Sequence, residues 1–155
     1  MATLNSGSKA PAFKLKDQSG TEVSLAGFKG SKVLVYFYPK ADTPGCTKQA
    51  CAVRDALGVL KKRGVVSVGI SPDAPAVQAK FDAKHSLGFP LLADEDHAVA
   101  EAYGAWGEKS MYGNTYMGIV RSAFLIDEVG NVTASWIGVS PNDTVPNVLA
   151  VLSGS

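Results

Sequence analysis

The run Val33-Leu34-Val35-Tyr36-Phe37-Tyr38 is apolar or aromatic at every position. A half-exposed strand would alternate, so continuous apolarity predicts a central strand covered on both faces. Pro39 ends the run. Beyond it Cys46, Ala50, Val53, Leu57 and Leu60 recur at intervals of four and three, one face of a helix, which Arg63-Gly64 closes with a basic residue and a glycine suited to a left-handed cap. Residues 65–70 form a second buried strand. Ser71-Pro72-Asp73 opens a helix over 74–86 with Val77 and Phe81 inward. Strand, helix, strand, helix predicts right-handed crossovers and a largely parallel centre.

The flanks add antiparallel elements. Residues 13–15 and 22–25 around Asp17-Gln18-Ser19-Gly20 predict an N-terminal hairpin, and 119–126 with 132–137 around 127–131 predict a second. Residues 89–93 read as a short strand, and Asp94 caps a helix holding Val99, Ala102 and Tyr103. The glycine- and aromatic-rich stretch 104–118 has no period that assigns its path. A last helix carries Val145, Val148, Leu149 and Leu152 on one face. The fold class is α/β, a mixed central sheet flanked by helices, and 1–155 reads as a single domain.

Charge narrows the partners. Fifteen basic and 14 acidic side chains give a net charge of +1, with lysines scattered, so neither nucleic acid nor an anionic membrane is expected to bind. No apolar run approaches a spanning length, and Met1 to Ser8 lacks a hydrophobic signal core. A soluble, cytoplasmic protein is the expectation, and a monomer. No His/Cys cluster has zinc-site spacing, so no zinc site is expected; His85 and His97 read as exposed helix residues.

Cys46 and Cys51 are the whole thiol inventory. In a reducing compartment a pair this close reads as redox-active, against the plainer alternative of two buried core thiols. Cys46 falls in the first turn of a helix just past the carboxyl end of a central strand, where α/β sheets place their sites. Free amides and the positive end of the helix dipole favour a thiolate there. Gly45 lets a substrate approach the backbone, and Thr43 either aims a hydroxyl at the reacting atom or caps the helix. Arg121, taken alone, reads as a strand arginine at the surface.

Pro39, Thr43 and Cys46 reproduce the spacing of the peroxiredoxin signature. The run from Tyr36 to Arg54 resembles the peroxiredoxin Q branch, also called bacterioferritin comigratory protein. Gly118-Ile119-Val120-Arg121-Ser122 followed by Phe124-Leu125-Ile126-Asp127 is similar to the family's later arginine segment. The resemblance implies a thioredoxin-like fold and peroxide reduction without metal or prosthetic group. It implies Cys46 as peroxidatic thiolate, Thr43 bonding the peroxide, Arg121 beside the sulfur, and Cys51 as resolving cysteine. Pro39, Pro44, Gly45 and Gln49 would complete the pocket, and thioredoxin or a similar dithiol would be the electron donor. Gln49 departs from the family's usual glutamate, which orients the arginine, and Ala41 and Val53 depart as well.

Tyr112, Tyr116 and Trp106 are candidates for an apolar mouth that admits organic hydroperoxides, whereas Trp136 reads as core. Two rival functions share these residues: a general thiol-disulfide oxidoreductase, and a binding or chaperone-like module with a sulfur switch. The first would use two residues between its cysteines, not four. Five positions along a helix carry a rise of ~7.5 Å and a net rotation of ~140°, so the two Cα atoms would stand about 9 Å apart. A disulfide allows about 7 Å. The resolving role therefore predicts unwinding of roughly 43–54, made easier by the short side chains around Ala50.

Overall fold

The computed structural model describes residues 7–153. Two short strands, β1 (Lys14–Lys16) and β2 (Glu22–Ser24), form the N-terminal hairpin. The centre is β3 (Lys32–Phe37), α1 (Pro44–Lys62), β4 (Val65–Ser71), α2 (Pro75–His85) and β5 (Leu91–Ala93). Then come α3 (Ala98–Ala102), β6 (Trp106–Met111), β7 (Asn114–Ile119), β8 (Ser122–Ile126), β9 (Val132–Ile137) and α4 (Thr144–Ser153). Seven strands make one sheet in the order β2-β1-β5-β4-β3-β8-β9; β6 and β7 pair only with each other.

β3 lies between β4, parallel to it, and β8, antiparallel to it. Val33 to Tyr38 are all buried, as continuous apolarity requires. Alternate residues feed two cores. Leu34, Tyr36 and Tyr38 pack with Cys46, Ala50, Val53 and Leu60 of α1, and Val35 and Phe37 pack with Tyr103 and Phe124 on the other face. Gly64 adopts φ +75°, the left-handed turn that ends α1.

Several expectations need correction. Val77 is 43% exposed, and its neighbour Gln78 is the buried residue. Gln78 is held inside by polar partners: Tyr38 Oη donates to its side-chain oxygen, and its Nε2 donates to Ser71 Oγ and the Leu92 carbonyl. Ala102 faces outward, and residues 119–126 are not one strand, because the chain breaks between β7 and β8 at Val120-Arg121. Asp94 does serve α3, although His97 occupies the cap position: its carboxylate accepts from the Val99 and Ala100 amides. His85 and His97 are partly covered rather than exposed. The His97 ring stacks on Trp106 at 3.7 Å, and His85 lies edge-on to Phe81. Trp136 is half-buried against the α1 core, and Trp106 packs on the opposite one. Residues 104–118 are largely the β6–β7 hairpin, whose tip leaves Tyr112 96% exposed.

No helix among the described residues is long and apolar enough to cross a membrane.

Candidate active site

Sheet register explains why Arg121 meets Cys46 across 75 positions of sequence. β8 runs antiparallel to β3 with Ser122 opposite Phe37, so the residue before β8 lies at the carboxyl end of β3. That is where the chain leaves through Pro39 into α1. The Val139 amide donates to the Arg121 carbonyl at 2.8 Å and pins its main chain.

Thr43 is the N-cap of α1, Pro44 its first residue and Cys46 its third. Proline suits that first position because its missing N–H would have no partner there. The amides of Gly45 and Cys46 belong to the first turn, whose N–H groups have no partner one turn back. Cys46 is buried, and Arg121 Nη2 donates to its sulfur at 3.4 Å. Arg121 Nη1 donates to Gln49 Oε1 at 2.7 Å, and Gln49 Nε2 donates to Thr144 Oγ1 at 2.8 Å. Gln49 and Thr144 are both fully buried. The arginine is thus oriented by a neutral relay that runs through Thr144, at the start of α4, to the Ser140 carbonyl, which accepts from the Thr144 hydroxyl at 3.4 Å. A Cβ on Gly45 would stand 3.2 Å from Arg121 Nη2 and 3.6 Å from the Pro141 ring.

Thr43 does not cap the helix with its side chain; its hydroxyl donates to the Lys40 carbonyl at 2.8 Å. With its proton committed there, the oxygen retains lone pairs that accept. Pro39 is half-buried, Ala41 is buried with its amide donating to Asp73 at 2.7 Å, and Pro44 is exposed. Cys51 is half-buried in the same continuous helix and is not bonded to Cys46. Ala50, between them, is completely buried in the core, so opening there is not eased by sparse packing.

Sequence reasoning missed three contributors. Thr144 and Pro141 come from the chain after β9, where nothing in the local pattern connects them to Gln49 or Gly45. Lys109 of β6 is half-buried and lies within electrostatic reach of Arg121 and Cys46. Burial pushes its ammonium down, Arg121 adds to that, and Cys46 opposes it. Tyr112 and Tyr116 sit on the exposed part of the hairpin, 96% and 43% accessible. No group of three or more His, Cys, Asp or Glu side chains among the described residues is placed to hold a metal ion.

A buried cysteine in the first turn after a central strand, with an arginine donating to its sulfur, is a site for thiol chemistry on a small substrate. The AhpC/TSA family matches residues 6–135, and the chain belongs to that family. Within it the likeness is to the peroxiredoxin Q and Bcp branch. Peroxiredoxin Bcp of Escherichia coli K12 is 54% identical over 132 residues, 85% of either chain. Peroxiredoxin Q of Xanthomonas campestris is 35% identical with a TM-score of 0.86, over 92% of this chain and 90% of that one. A structure of the bacterioferritin comigratory protein of the same organism, described for its alkyl peroxide reduction activity, is 34% identical with a TM-score of 0.86 over the same shares. The protein is a thiol peroxidase with the thioredoxin-like fold of these relatives.

Proposed function

We propose that Cys46 is the peroxidatic thiolate, that Cys51 resolves it, and that thioredoxin returns the enzyme to the dithiol. The Cys46 thiolate attacks the terminal oxygen of a hydroperoxide. The O–O bond breaks, the sulfur keeps one oxygen as sulfenic acid, and the departing oxygen leaves as hydroxide or alkoxide and takes a proton to become water or an alcohol. Charge builds on that leaving oxygen, so donors fixed nearby lower the barrier. Arg121 Nη2 and the first-turn amides of α1 supply such donors. Thr43 Oγ1 accepts the hydrogen bond of the peroxide O–H. Pro39, Pro44 and Gly45 shape the approach, and Gln49 orients the arginine.

The Cys51 thiol then condenses with the sulfenic acid, water leaves, and an intramolecular disulfide remains. A dithiol donor reduces it by exchange through a mixed disulfide. This reading takes the chain as one domain, acting as a cytoplasmic monomer on hydrogen peroxide and organic hydroperoxides without metal or cofactor. The observation that supports it most strongly is the 3.4 Å contact from Arg121 to the Cys46 sulfur.

Stopped-flow oxidation of the reduced protein by hydrogen peroxide and by an organic hydroperoxide, followed by turnover with thioredoxin, tests the scheme. Oxidation orders of magnitude faster than free cysteine, and thioredoxin oxidation only when peroxide is present, are expected. Insulin reduction without peroxide would instead identify a general oxidoreductase.

A further inference from the structure

Tyr36 of β3 and Tyr38, just past its end, share the buried cluster under α1, yet their hydroxyls are treated differently. Tyr38 Oη donates to Gln78 and joins a bonded polar network. Tyr36 Oη has no donor or acceptor partner among the described residues, although the residue is completely buried. The ring has little freedom to find one. A Cβ on Gly69 would stand 3.0 Å from both its Cζ and its Oη, while Tyr38 and Phe89 flank it at centroid distances of 5.6 and 6.3 Å. Cys46, Ala50 and Val53 share its buried cluster and Cys51 packs against it. Both thiols and Arg121 lie within electrostatic reach of the hydroxyl. Burial pushes the phenol far above its ordinary range, so it stays neutral.

We propose that the unpaired Tyr36 hydroxyl biases the first turns of α1 toward opening, the motion that joins Cys46 to Cys51. An unpaired buried hydroxyl penalises the closed helix by an amount equivalent to about five- to 150-fold in an equilibrium constant. When 44–51 unwinds, the hydroxyl gains water or freed main-chain groups as partners, and that penalty disappears. The effect offsets part of the cost of exposing Cys46 and Ala50, which are both fully packed. Tyr36 touches neither peroxide nor leaving group. The condensation itself balances without it: the sulfenic oxygen leaves as water with the Cys51 proton, and the sulfurs bond. The inference rests on Cys51 being the resolving thiol.

Tyr36→Phe removes only the oxygen, with Tyr38→Phe as the control that removes a bonded one. In the reduced protein, Tyr36→Phe is expected to raise the urea midpoint and to slow amide exchange in the first turns of α1; Tyr38→Phe is expected to lower the midpoint. First oxidation by hydrogen peroxide stays within about twofold of wild type, while Cys46–Cys51 disulfide formation slows roughly tenfold in Tyr36→Phe. Sulfinic Cys46 then accumulates at lower peroxide. A lowered midpoint, as a buried water bonded to Tyr36 would give, overturns the inference, and so does unchanged disulfide formation. If wild type forms no such disulfide, the resolving assignment fails, and the exchange comparison on reduced protein alone decides whether the hydroxyl favours opening.

Discussion

The Arg121 guanidinium donates from Nη1 to the buried side-chain oxygen of Gln49 at 2.7 Å. Its other terminal nitrogen is left to donate to the Cys46 sulfur. The amide is neutral and needs no counter-charge in the core, and its nitrogen is satisfied by donating to Thr144.

Gln49→Glu keeps an acceptor at that position and adds charge, which strengthens the bond to the guanidinium. It also removes the donor to Thr144, whose hydroxyl can turn from the Ser140 carbonyl, a long 3.4 Å bond, and donate to the carboxylate instead. First oxidation is expected to be equal or faster. Gln49→Leu, which leaves the guanidinium without its partner, slows it by at least about tenfold, and Arg121→Ala by about a hundredfold, on the scale of losing one transition-state donor. Stopped-flow rates check all three.

Gly45→Ala separates stability from activity. Alanine is favoured over glycine by about 1 kcal/mol within a helix, but its Cβ would lie 3.2 Å from Arg121 Nη2. The melting temperature should hold or rise while oxidation slows roughly tenfold as the guanidinium is displaced. Equal rates in both proteins would show that the arginine has room to adjust.

Cys46→Ser should abolish peroxide reduction, because a serine hydroxyl is barely ionised at neutral pH. Cys51→Ser should keep the first oxidation yet lose the internal partner, so Cys46 climbs to sulfinic acid at high peroxide. Mass spectrometry of Cys46 after a peroxide pulse distinguishes one added oxygen from two.

Asp42, at φ +62°, precedes the cap of α1 and ties the loop to the end of α2. Its carboxylate accepts from Lys84 Nζ at 3.0 Å and lies 3.3 Å from His85 Nε2. The Lys84 hydrogen bond first, then His85, holds its pKa below the ordinary carboxylate range. A lowered folded value means that the tie contributes above the unfolded pKa of about 3.9 and is lost as pH falls through the lowered value. Side-chain NMR titration should show Asp42 protonating below a peptide aspartate. A midpoint at or above the peptide value would remove the tie from the account.

Much of this was legible in sequence where one physical rule dominates. Continuous apolarity fixed β3, and a proline, a heptad-like face and Gly64 bounded α1. The phase of α2 misled because Gln78, not Val77, fills the core, through three hydrogen bonds that no periodicity encodes. The β6–β7 hairpin was illegible because Asn114 to Met117 are all exposed and carry no alternation. Cys46 and Gln49 could be picked out locally, but Thr144 lies 95 residues from Gln49, and only the sheet order brings them together.

Both cysteines belong to one unbroken helix, α1, so the disulfide proposed between them requires that helix to open. Amide hydrogen exchange on the reduced and disulfide forms tests this most directly. The account predicts that protection across 43–54 falls on oxidation while β3 stays protected. Equal protection of 43–54 in both forms would contradict it.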